Sequence, residues 1–297
     1  MALRTVITER QRRLGSELRK LREQAGLSIN EASSRVGMGA THLSHAEAAR
    51  TAIAFDRLRA LMQAYEVRDE PYADALASLS EDKGKGWWSG YRGGLSPAAL
   101  DLAELESRTC SIRSYESLFI PGILQLEDYT RAIFRANDTV TTPEGIDAAV
   151  NFRLRRQKVL TSDDPPEVHA VIHEAALHMR FGGASVARKQ LLRLVELAEL
   201  PHVRIQVLPF TAEGVSAVNT PFCLLTSHGG ALETVQMDHA DQSMFLHTPD
   251  SIAQYQKQFD QLCSIALPPV NAKVTSSLDR EGRDSLGLIQ YVLYSHY

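Results

Sequence analysis

LSINEASSRVGMGATHLSHAEAAR, residues 27–50, is the stretch that decides the fold. Ser28-Ile29-Asn30-Glu31 has the form Ser-x-x-Glu, which opens a helix by a capping box: the Ser28 hydroxyl accepts from the backbone N–H of Glu31, and the Glu31 side chain reaches back. The spacing predicts a short helix with Ala32 and Val36 inward, ended by Gly37, a residue free to adopt positive φ. A second helix is predicted from Gly39 or Ala40, with Leu43 and Ala46 inward. Thr41, Ser44, His45 and Ala48 then share the outward face, at i, i+3, i+4 and i+7. That face is small and polar, the kind that lies in a major groove with hydroxyls and imidazoles at base edges.

Around this pair, Leu14, Leu18, Leu21 and Ala25 mark a preceding helix that stops at Gly26. Phe55, Leu58, Leu61, Met62 and Tyr65 mark a following one, and Pro71 to Leu79 a fifth. Net charge is −4, so any contact with DNA must come from a local patch. The basic residues cluster early, at Arg4, Arg10, Arg12, Arg13, Arg19, Lys20 and Arg22, and are expected to hold phosphates.

At 297 residues, 44% of them hydrophobic, the chain has material for two cores. Glu81 to Gly86 is polar and glycine-punctuated, and Trp87-Trp88 is expected to anchor this linker onto a second domain rather than to stack bases of a single strand, since no aromatic–basic interleaving continues. Ser96-Pro97 starts a helix, Ile112 to Phe119 is extended, Pro121-Gly122 turns, and helices follow over Glu127 to Arg135 and from Pro143 to about Leu160. Val168, Ala170 and Ile172 alternate, as do Val203, Ile205 and Val207. A helix between them, Ser185 to Leu200 with Leu191, Leu192, Val195 and Ala198 inward, completes a βαβ unit with parallel strands. Phe222 to Thr226 and Leu232 to Met237 flank a glycine turn and form a hairpin, and Pro249 to Ile265 covers the sheet.

The expected fold is therefore α+β overall: an all-α helix-turn-helix domain over residues 1–80, a linker over 81–95, and an α/β domain with a small mixed sheet of four or five strands over 96–277. The tail 278–297 carries Leu286, Leu288, Ile289, Val292 and Leu293 at the spacing of a short helix, a candidate dimer seam.

Other chemistry finds little support. Cys110, Cys223 and Cys263 form no CxxC pair, so neither a disulfide framework nor a zinc site is expected. MALRTVITERQRR has no apolar core of a signal peptide and no stretch has the length of a membrane span, which points to the cytoplasm. His173-Glu174-Ala175-Ala176-Leu177-His178 has its histidines one residue too far apart for a zinc protease. No nucleophile elbow or phosphate loop appears, so no enzyme, metal or cofactor is expected.

Leu27 to Arg50 resembles, without a gap, the Xre/Cro/phage-repressor type of DNA-binding domain. Leu27, Ser28, Glu31, Gly37, Met38, Ser44 and Glu47 agree; Ile29 replaces the usual Gln, Gly39 the capping Ser and Ala49 a Gly. By position the resemblance places Ala40, Thr41, His42, Ser44 and His45 at bases and Asn30 and Arg50 near phosphates; Ser28 is a further candidate DNA contact. Trp87 to about Ser277 resembles the C-terminal domain of WhiJ-like, antitoxin-like transcriptional regulators of actinobacteria. The matching blocks include Tyr115, Ile120-Pro121-Gly122-Ile123-Leu124-Gln125, Tyr129, Arg153, Arg156-Gln157 and Gly182-Gly183. This resemblance implies a cytoplasmic regulator that represses a promoter and is often encoded beside a small BldB-like protein that binds it.

The expectation is a homodimeric, sequence-specific regulator of double-stranded DNA whose second domain takes a small partner protein or small-molecule effector. Tyr115, Pro121, Gly122, Gln125 and Tyr129 are the candidate partner residues. The alternative is an antitoxin-like protein that sequesters its partner and binds DNA weakly.

Overall fold

The computed structural model of the protein describes residues 3–136, 142–214, 220–228, 230–239, 243–271 and 284–296. Six helices open the chain: α1 (Glu9–Gln24), α2 (Ile29–Arg35), α3 (Ala40–Glu47), α4 (Phe55–Ala64), α5 (Glu70–Glu81) and α6 (Pro97–Glu106). Strand β1 (Thr109–Glu116) leads to α7 (Glu127–Ala136) and α8 (Pro143–Arg156), then β2 (Glu167–His173), α9 (Glu174–His178), α10 (Ala184–Leu197) and β3 (Val203–Leu208). Strands β4 (Phe222–Ser227), β5 (Glu233–Asp238) and β6 (Ser243–Leu246) precede α11 (Pro249–Ile265) and α12 (Ser285–His296).

Two compact units divide these elements. The first holds α1 to α6 together with the distant segment Ser227–Leu232; the second holds the sheet and the remaining helices. In the first, Leu18, Ala32, Leu43, Leu58, Leu61 and Leu76 form a core with no exposed surface, and Leu232 is buried among them. Helix α6, expected beyond a linker, belongs here too. The Glu104 carboxylate on α6 accepts from Arg10 Nε of α1 at 2.6 Å, and Asp101 accepts from the backbone N–H of Glu9 at the start of α1. The linker itself is structured. Trp88 folds back over Gly86, where a Cβ would meet its ring, and is buried in this first unit rather than in the second.

The sheet runs β3-β2-β1-β4-β5-β6. Strands β1, β2 and β3 are parallel, with Tyr115 beside Val171 and Val171 beside Gln206. Strands β4, β5 and β6 are antiparallel. The fold is thus mixed α+β, with six strands where four or five were expected; β6 is four residues long and only partly buried, so it shows no alternation. Tyr115, Val171, Leu208, Phe222, Leu224 and Val235 share one face and pack under Phe259 and Leu262 of α11. The alternate residues Ile112, Ala170, Ile172, Ile205 and Val207 are equally buried, as expected of parallel strands covered on both sides.

Two details differ from the sequence pattern. On α10 the inward residues are Ala187, Leu191, Leu194 and Leu197, while Leu192 is exposed. On α12 the apolar residues that suggested a dimer seam are covered by the chain itself, and Tyr291 and Tyr294 point outward. Edge strand β3 is also covered. Its Val207 carbonyl accepts from Leu267 at 2.9 Å, its Ile205 carbonyl from Val270 at 2.8 Å, and Ser285 Oγ accepts from Val207 N at 2.8 Å. Unpaired strand edges invite pairing with other chains, and these three bonds occupy the Ile205–Val207 stretch of this one.

Candidate DNA-contacting surface

Helix α2 begins as its sequence requires. Glu31 N donates to Ser28 Oγ at 3.2 Å and Ser28 N donates to Glu31 Oε2 at 2.8 Å. The Ser28 hydrogen bond holds the Glu31 carboxyl below its ordinary value, so the cap is formed with the charged side chain. The helix stops at Gly37, where φ is +62° and the N–H bonds back to Ser34. Arg57 of α4 donates to the Val36 carbonyl and closes that end. Gly39, extended at φ −74°, precedes α3 and supplies no side-chain cap.

Helix α3 turns Leu43 and Ala46 into the core. Thr41, Ser44 and Ala48 are exposed, and Ala40, His42 and His45 are half-buried. His42 Nε2 is buried without a hydrogen-bond partner, so this ring is turned partly inward. Ser28 and Asn30 at the start of α2, and Arg50 just past α3, are exposed.

Three contacts from the N-terminal region fix α3 in place. Arg22 of α1 grips Glu47 with two bonds, Nε to Oε1 at 2.7 Å and Nη2 to Oε2 at 3.0 Å, and its Nη1 donates to the Leu27 carbonyl. Gly15 lets α1 lie directly on the end of α3; a Cβ there would sit 2.5 Å from the Glu47 carbonyl oxygen. Arg4 Nη1 donates to the carbonyls of Ala49 and Thr51, at 2.9 and 3.0 Å, across the turn that leaves α3. Ala49 occupies that turn at φ +58°, a left-handed conformation that favours glycine.

These contacts overturn one expectation. The early cations do not form a free basic face. Arg10 is committed to Glu104 and the Leu79 carbonyl, Arg13 to Glu17 and Arg22 to Glu47, all buried. Arg19 pairs with Glu23 and Lys20 with Glu17. The partners Glu104 and Glu47 lie far along the chain, so counting nearby acids could not reveal them. Gly15 was also missed, although a glycine inside a helix-forming run is itself a sign of close packing.

In the second unit, Tyr115, Pro121, Gln125 and Tyr129 are buried and Gly122 is half-buried. Three glutamine amides secure the turn they surround. Gln125 Nε2 donates to the Ile120 carbonyl, Gln157 Nε2 to those of Gly122 and Gln125, and Gln190 Nε2 to that of Leu124. Arg153 Nη1 and Thr130 Oγ1 both donate to Gln125 Oε1. Gln125 and Gln157 also line a cavity of about 220 Å³.

The histidines of the zinc-like stretch are used locally: His173 Nδ1 accepts from Ala175 N, and Glu174 Oε2 accepts from Phe210 N. Among the described residues no group of three His, Cys, Asp or Glu side chains is placed to hold a metal ion, and no helix is long and apolar enough to cross a membrane.

Residues 13–76 match the family model of a helix-turn-helix domain, and residues 99–273 match that of a domain of unknown function, DUF5753. No curated protein and no solved structure matches the chain. The first match places α2 and α3 in a DNA-binding regulator and the second spans more than half of the sequence.

Proposed function

We infer the function of this chain from two facts: it belongs to the DUF5753 family, and it carries a helix-turn-helix domain. It is a sequence-specific regulator of transcription of the Xre/Cro type, acting as a homodimeric repressor in the cytoplasm. The observation that carries this reading is the asymmetry of α3. Leu43 on its inner face has no exposed surface, while Thr41 and Ser44 on its outer face are exposed. Ala40, Thr41, Ser44 and His45 meet bases in a major groove, and His42 does so by turning its ring outward. Ser28, Asn30 and Arg50 contact the backbone.

The second unit answers to a small partner protein of the BldB-like kind or to a small-molecule effector, in keeping with its resemblance to WhiJ-like, antitoxin-like regulators. Pro121, Gly122, Gln125 and Tyr129 act there by fixing the shape of a turn and Tyr115 by packing under α11; Gln125 alone of the five lines the neighbouring cavity.

The test is binding to the DNA upstream of the protein's own gene across a range of salt. Each phosphate neutralised contributes about −0.9 to the slope of log K against log salt. Thr41→Ala and His45→Ala each weaken binding by about 1–3 kcal/mol if these side chains read bases. Wild-type affinity in both variants, with a flat salt dependence, would sink the proposal. The burial of Arg10, Arg13 and Arg22 and the bare cap at Gly39 favour a second reading, a protein that sequesters a small partner and binds DNA weakly. Co-purification of a small neighbouring protein without promoter binding would select it.

A further inference from the structure

A cavity of about 420 Å³ lies inside the first unit, walled by α1, the turn that leaves α3 and the end of α5. That volume lies in the range of small-molecule sites, about 300–1,000 Å³. Its apolar walls are Leu14, Ala46, Ile53 and Leu79. Thr51 also lines it, buried at 6% exposure, and its Oγ1 has no hydrogen-bond partner. A buried hydroxyl without a partner is costly, and a ligand atom in the cavity would satisfy it.

The charge around this cavity is unbalanced. Of its cations, Arg10 is neutralised by Glu104, and of its acids, Asp82 pairs with Arg108. The half-buried Arg4 and the exposed Lys83 remain, opposed by the equally exposed Glu81, which leaves one positive charge in excess. Arg4 uses Nη1 on two backbone carbonyls and has no carboxylate partner among the described residues. Burial, and then the charge of Arg10, push its guanidinium below the ordinary value.

We propose that this cavity binds a small monoanion with an apolar body, such as an aromatic carboxylate, with its carboxylate between Arg4, Lys83 and the Thr51 hydroxyl and its ring against Leu14, Ile53 and Leu79. The same walls include Ala46 of α3, and Arg4 also ties down the Ala49–Thr51 turn. An occupant therefore shifts the end of the helix that faces DNA and changes DNA affinity. That consequence rests on the DNA-binding reading; the occupancy does not.

The experiment is calorimetric titration of the full chain with 1-naphthoate, and with 1-naphthamide as a neutral analogue, without DNA present. The proposal expects saturable one-site binding of naphthoate and at least tenfold weaker binding of the amide. Thr51→Val and Lys83→Gln each weaken naphthoate about tenfold. Ala52→Trp, a change at an exposed position of the lining, blocks it. Thermal melts monitored by circular dichroism confirm that each variant is folded. No binding by the wild type at millimolar naphthoate, or equal binding by all three folded variants, overturns the proposal. Promoter binding with and without naphthoate is a separate measurement, so occupancy of the cavity stands or falls on the titration even where DNA binding fails.

Discussion

Glu47 shows how much of the candidate site depends on a single side chain. Its carboxylate and the Arg22 guanidinium are both buried, at 5% and 10% side-chain exposure, and the pair joins α1 to the end of α3. Removing one partner of a buried pair leaves the other charge uncompensated, a loss of about 3–5 kcal/mol. Glu47→Gln is accordingly expected to lower the urea midpoint strongly and to weaken DNA binding, although Glu47 faces away from the proposed groove. Glu9 predicts a pH dependence. Burial pushes its carboxyl up to about 7, with Asp101 adding to the effect and Arg12 opposing it. The folded chain then holds this proton more tightly than the unfolded chain, where a Glu titrates near about 4.3. Stability from this group is present at acid pH and is lost as pH rises from about 4.3 through 7. Glu9→Gln should flatten that decline and leave the protein about 1–3 kcal/mol more stable than wild type at pH 8. A wild-type pH profile in the variant's denaturation midpoints would refute it. At this scale the sequence was legible where partners are near: Ser28 and Glu31 are three residues apart, and their reciprocal bonds follow from the pattern alone. Arg22 and Glu47 are 25 apart, and nothing local announces them.

At the scale of elements, side chains added at two glycines have opposite signs. Gly15→Ala gains about 1 kcal/mol of helix propensity. It also drives a Cβ into backbone oxygens of Glu47 and Ala46 at 2.5 and 2.9 Å, which cannot swing aside. Overpacking of this kind costs about 1–3 kcal/mol. The net expectation is a destabilised unit in which α3 is levered away from α1, checked by urea unfolding and by DNA affinity together. Gly39→Ser meets nothing within 4 Å and restores a side-chain cap to α3, so it should stabilise by a few tenths of a kcal/mol, about the Ser–Gly difference at such positions. The helices themselves were mostly legible, since caps and apolar spacing are local: α11 starts at Pro249 and ends at Ile265, as its pattern requires. The inward face of α10 was misjudged by one position. Leu191 and Leu192 are equally apolar, and only the position of the neighbouring helices α7 and α12 decides which one turns in.

At the scale of the whole molecule, the first unit is not one continuous length of chain. Leu232, from the turn between β4 and β5, is buried in the core of α1 to α5 at 6% exposure. Leu232→Ala is expected to cost about 2–5 kcal/mol and to appear as earlier unfolding of the helices of the first unit. A fragment of residues 1–108 should melt below the full chain for the same reason, and equal melting temperatures would show the inserted leucine to be idle. The hairpin was legible from alternation around a glycine turn, but its destination was not, because a lone Leu beside glycines looks like a strand's first residue. The consequence reaches into how such proteins recombine. A reading head that borrows a stitch from a gene segment more than a hundred codons downstream cannot be exchanged by a single crossover. A chimera that trades residues 1–108 for those of a relative must carry its own Ser227–Leu232 as well, or the new head will arrive with a hole in it.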